Sequence, residues 1–152
     1  MVRFHLLGGS PMTRQSRTFK LRLSPAGMDL LIDSHVHLIR STRALLPWGT
    51  TLQVAVDCLD AIPAPVVLER LGSLAEAGLQ GDEDHYLGAS KRLNQTASRI
   101  AERVGKVAPG HDAPTLASIY IAALQQLPRT DHQTLRATYD RMKPASQAVA
   151  AT

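Results

Sequence analysis

Cysteine and aromatic residues are scarce in this chain. Its 152 residues include one cysteine, Cys58, and aromatic side chains make up 4%. One thiol cannot close an internal disulfide or supply the thiolates of a Cys-based zinc ribbon or an iron–sulfur site. No apolar run approaches the roughly 18 residues that a membrane span requires. The opening, Met1 to Gly9, has too short an apolar stretch for a secretory signal. Nucleophile-elbow, P-loop and dinucleotide-type glycine motifs are lacking. The acidic run Asp82-Glu83-Asp84 lacks the spaced ligands of a calcium loop and reads as a solvated turn. The expectation is a soluble, cytoplasmic protein that spans no membrane, is not an enzyme, and needs no cofactor or metal.

What the chain does have is an ordinary globular composition, 44% hydrophobic against 20% charged. That is enough for a core without covalent staples, and the length fits one domain or two small ones. Charge is spread unevenly. Residues 1–24 hold Arg3, Arg14, Arg17, Lys20 and Arg22 and no acid, whereas the remaining 128 residues hold twelve basic and thirteen acidic ones. All the excess positive charge therefore lies at one end, as in an arm or edge that meets a polyanion.

Residues 1–17 read as a flexible basic arm, broken by Gly8-Gly9-Ser10-Pro11, with Met12 an alternative start to Met1. From Thr18 to Ser24 the chain alternates, with Phe19, Leu21 and Leu23 on one face and Thr18, Lys20 and Arg22 on the other. Period two over seven residues is a half-buried strand. Everything after it reads as helix. Ser24-Pro25 caps a first helix with the stripe Met28, Ile32, Val36 and Ile39. A second starts at Thr50 or Thr51 and ends before Pro63, and a third, 66–77, ends at Gly78. The stretch 78–88 reads as a loop dividing the chain. A fourth helix carries Leu93, Ala97, Ile100, Val104 and Val107 at helical spacing. Asp112 is expected to cap a fifth, and Thr130 with Gln133 a last helix to Met142. Residues 144–152 read as a flexible tail. The pattern around Thr50 to Pro63 echoes Thr115 to Pro128 at a spacing of 65, so both halves read as helical hairpins.

Two segments resemble known families. Leu31-Ile32-Asp33-Ser34-His35-Val36-His37-Leu38 resembles the opening of metal-dependent amidohydrolases and TatD-type nucleases, in which Asp-x-His-x-His ends a barrel strand and both histidines bind metal. On a strand, residues two apart point the same way; on a helix they diverge by about 200° and cannot share an ion. The downstream ligands and strands of such a barrel are missing.

The segment Phe19-Lys20-Leu21-Arg22-Leu23-Ser24-Pro25, followed by Met28 and Leu31-Ile32, resembles the start of ribbon–helix–helix proteins of the Arc, MetJ and CopG type. The likeness covers about residues 18–62. It implies a mainly α fold with one N-terminal strand and five or six helices, dimeric through residues 18–24. In that family the strands of two chains pair into a ribbon that enters the DNA major groove. Carried over, Thr18, Lys20 and Arg22 face the bases, and Arg14 and Arg17 lie near phosphates. The family turns after about a dozen helical residues; here the first clear turn is Pro47-Trp48-Gly49, so the helix is either elongated or broken near Ser41-Thr42. The implied function is sequence-selective DNA binding, in transcriptional regulation or DNA processing on a mobile element. Residues 18–78 form the DNA-binding region, and 85–143 a helical module for oligomerisation or a protein partner. The competing class is a helical adaptor that binds protein and not DNA.

Overall fold

The computed structural model describes residues 16–110 and 112–142. Arg14, the alternative start at Met12 and the tail 144–152 lie outside them. Two strands, β1 (Ser16–Leu23) and β2 (Glu83–Ser90), pair antiparallel. β1 leads into α1 (Pro25–Thr42), then α2 (Trp48–Asp60), α3 (Ala64–Gly72) and the single turn α4 (Leu74–Ala77). β2 leads into α5 (Lys91–Val107), then α6 (Leu116–Gln126), a 3-10 turn (Leu127–Arg129) and α7 (His132–Met142). The described chain is mainly helical with one two-stranded sheet. No described helix is by itself long and apolar enough to cross a membrane.

β1 obeys its period: Leu21 and Leu23 are buried, while Lys20 and Arg22 are exposed. Ser24 then leaves the strand conformation and its hydroxyl accepts from the Gly27 N–H at 3.1 Å, the N-cap of α1 with Pro25 at the first position. The same hydroxyl donates to the Gly78 carbonyl at 2.5 Å, tying the cap to the end of α4. α1 runs 18 residues and stops where Arg43 turns left-handed (φ 57°), so the chain breaks beside Thr42 without a glycine.

Several expectations need correction. Glu83–Ser90 is a strand, not a loop, and it crosses the boundary drawn at residue 85. The expected stripe of α1 is displaced: Gly27, Leu31, Ser34, Leu38 and Ser41 are buried, whereas Ile32 and Val36 are exposed. Polar residues reach that inner face because their hydroxyls find carbonyls, Ser34 at Leu124 (2.9 Å) and Ser41 at His37 (2.8 Å). Thr115 rather than Asp112 caps α6, accepting from Ser118 N–H at 3.1 Å. Asp131 rather than Thr130 caps α7, accepting from Thr134 N–H at 3.0 Å, while Thr130 turns inward to the Gln126 carbonyl. The third helix is split at Ser73 into α3 and α4, and Val107 is exposed.

Strand, helix, helix therefore occurs twice, in 16–60 and in 83–126. Burial repeats with it. Gly27, Leu31, Ser34 and Leu38 of α1 stand 66 residues before Leu93, Ala97, Ile100 and Val104 of α5, and all eight are buried. Thr51 to Val56, Cys58 and Leu59 stand 68 residues before Ile119 to Leu124, Gln126 and Leu127; all are buried, and only Asp57 and Gln125 interrupt both runs. The hairpin echo is thus real in structure, at 68 rather than the 65 read from sequence. The ladder follows the 66-residue relation of α1 and α5: about Lys20–Tyr86, the pair Thr18–Gly88 is exchanged for Asp84–Arg22. α2 packs chiefly on α6, and each also touches the first helix of the other unit, so the two units share one core from Leu21 to Leu135.

Candidate nucleic-acid interface

The ribbon seals one face against the helices and turns the other outward. Leu21, Leu23 and Leu87 are buried beneath it, and His85, opposite Leu21, is half-buried. α2 comes so close that a Cβ at Gly49 would run into the Gly88 carbonyl oxygen. Lys20 and Arg22 are exposed on β1; facing them across the ladder are Tyr86, 65% exposed, and Asp84. Arg22 Nε donates to Asp84 Oδ1 at 3.0 Å, an exposed pair of the kind worth at most about 1 kcal/mol.

Of the five residues expected to meet DNA, Arg17, Thr18, Lys20 and Arg22 lie in β1, opposite Ala89, Gly88, Tyr86 and Asp84 in turn. Arg17, assigned to the flexible arm, is in fact a strand residue. Arg14 lies outside the described residues. Sequence reasoning missed β2 and with it Asp84, Tyr86 and Gly88. Their signal was present: His85, Leu87 and Ala89 alternate with them at period two. The premise that residues 18–24 are the one strand is corrected too. β2 is the partner of β1, and with two strands in the sheet each keeps one open edge.

Comparison with family models, curated proteins and solved structures returns no match.

Several other basic side chains are engaged in holding the fold, Arg70 at Gln126 and Arg136 at the Ser41 carbonyl among them. On α5, Arg92 reaches Asp57 at 3.0 Å, and Arg99 and Arg103 reach Asp60 at 2.8 and 3.2 Å, clamping α5 to α2. Lys20 makes no such internal pair among the described residues, and Arg22 pairs only with its neighbour on the ribbon.

The segment that resembles a metallohydrolase strand lies inside α1, which corrects that implication of the likeness. Its two histidines have separate partners. His35 Nδ1 is 2.6 Å from Thr51 Oγ1, and the ring stacks on Trp48 with centroids 3.9 Å apart. Burial pushes its pKa below the ordinary histidine value. His37 Nε2 donates to the Thr130 carbonyl at 2.9 Å, with His132 beside it at 4.8 Å. No group of three or more metal-ligating side chains forms among the described residues. Cys58 is buried, and burial raises its pKa away from the reactive thiolate.

Proposed function

We propose that this chain is a sequence-selective DNA-binding protein whose reading element is the outward face of the β1–β2 ribbon. One observation carries the reading: the ribbon buries leucines on one face and leaves Lys20 and Arg22 exposed on the other. A two-stranded ribbon fits the major groove, and cationic side chains on its outer face can donate to guanine O6 and N7. The order strand, helix, helix in both halves supports the likeness to ribbon–helix–helix proteins, in which two chains each supply that order. The 18-residue α1 is longer than that family's first helix. Transcriptional regulation, or DNA processing on a mobile element, is the setting this chemistry suits. Retention on duplex DNA tests it. Affinity should fall steeply between about 50 and 200 mM salt, because bound counterions are released. A chain that ignores DNA at low salt would refute the reading.

A protein-binding adaptor is the second reading, and one feature favours it. Leu45 is 94% exposed in the α1–α2 connection, and Ile32, Val36 and Trp48 are exposed nearby in sequence. Scattered exposed apolar residues are ordinary on a folded surface, so this observation weighs less than the ribbon.

A further inference from the structure

The two strands present unlike residues at equivalent places. At the 66-residue spacing of the repeat, Thr18, Lys20 and Arg22 of β1 correspond to Asp84, Tyr86 and Gly88 of β2. A dimer of identical chains repeats every contact about its two-fold axis, which is why operators of such dimers are near-palindromic. This ribbon has no such obligation, because both strands belong to one chain and differ in sequence.

The difference is sharpest at the two ends. At one end Arg22 faces Asp84, whose carboxylate accepts from Nε at 3.0 Å. That leaves both terminal amino groups of the guanidinium without a partner among the described residues. Two parallel N–H donors on a guanidinium match guanine O6 and N7, and a carboxylate can accept from cytosine N4. The equivalent pair at the other end is Gly88 with Thr18, which carries neither a guanidinium nor a carboxylate.

Resting on the DNA-binding reading, we infer that a single chain reads a complete, non-palindromic DNA site, with one guanine contacted by Arg22 that Asp84 holds in position and no symmetry-related second guanine. Asp84 is a positioning residue: it acts through Arg22 and orients the guanidinium. Lys20 and Tyr86 occupy the centre, where the base they meet is likewise seen from two different side chains.

The test selects the best-retained duplexes from a randomised pool with the full chain, and then measures the mass of the complex. One chain per duplex and an asymmetric consensus containing one strongly preferred guanine are expected. Arg22→Ala should reduce discrimination at that guanine roughly 5- to 150-fold. Asp84→Asn should relax the same position while leaving binding to unrelated DNA as strong or stronger, since a negative charge is removed. Circular dichroism melts verify that both variants fold. An inverted-repeat consensus bound by two chains would overturn the single-chain site but keep the DNA-binding reading. A guanine preference unchanged by both substitutions would overturn the roles of Arg22 and Asp84. Failure to retain any duplex at low salt would overturn both the reading and this inference.

Discussion

Gly49 at the start of α2 lies directly against the Gly88 carbonyl of β2, with no room between them for a β-carbon. This contact sets how closely the ribbon sits on the helices. Gly49→Ala should therefore push strand and helix apart and cost on the order of 1–3 kcal/mol, as overpacking does. Gly88→Ala is the control. A β-carbon there meets nothing within 4 Å, so its effect should stay within about 0.5 kcal/mol in a denaturant titration.

Stability and recognition should separate on β1. Leu21 is fully buried, and Leu21→Ala should cost about 2–5 kcal/mol. Lys20→Ala removes an exposed side chain and should stay within about 0.5 kcal/mol. Chemical denaturation of the two variants side by side checks both figures.

How legible this was depended on which face carried polar residues. β1 could be read because Leu21 and Leu23 alternate with charges. β2 alternates as regularly, yet Leu87 is the one large aliphatic on its inner face, and Gly81, Gly88 and three acids disguise it as a turn. α5 could be read from Leu93, Ala97, Ile100 and Val104. α1 could not, because its inner face includes Gly27, Ser34 and Ser41, which hydropathy counts as outward. The repeated burial pattern was visible as an echo, but helix-turn shifts of three residues preserve an amphipathic pattern and so hide its spacing. The outward half contributed by β2 needed the pairing itself, which no local pattern specifies.

The pH response should report His35. Burial lowers its pKa, so the unfolded state binds the proton more readily than the folded one. The contribution of a neutral His35 is present above the unfolded value near 6.5 and is lost as pH falls below it toward the lower folded value. Thermal melts from pH 7.5 to 5 should show wild type losing its advantage over His35→Gln as the medium is acidified. A gap between the two that widens in acid would contradict this sign.

Arg43 holds a left-handed backbone at φ 57°, a conformation that costs an L-residue about 1–2 kcal/mol. Glycine adopts it freely but loses more entropy on folding, so Arg43→Gly should stabilise by up to about 1 kcal/mol. A shift in the denaturation midpoint with an unchanged slope would report it.

The most direct test of the central claim is a binding titration at two salt concentrations, on the best-retained duplex and on an unrelated one. Lys20→Ala and Arg22→Ala should each weaken the preferred duplex by roughly 1–3 kcal/mol and the unrelated one less. Arg14→Ala and Arg17→Ala should weaken both alike and lower the salt slope by about one. If Lys20→Ala and Arg22→Ala bind both duplexes like wild type, the outward face of the ribbon does not read DNA.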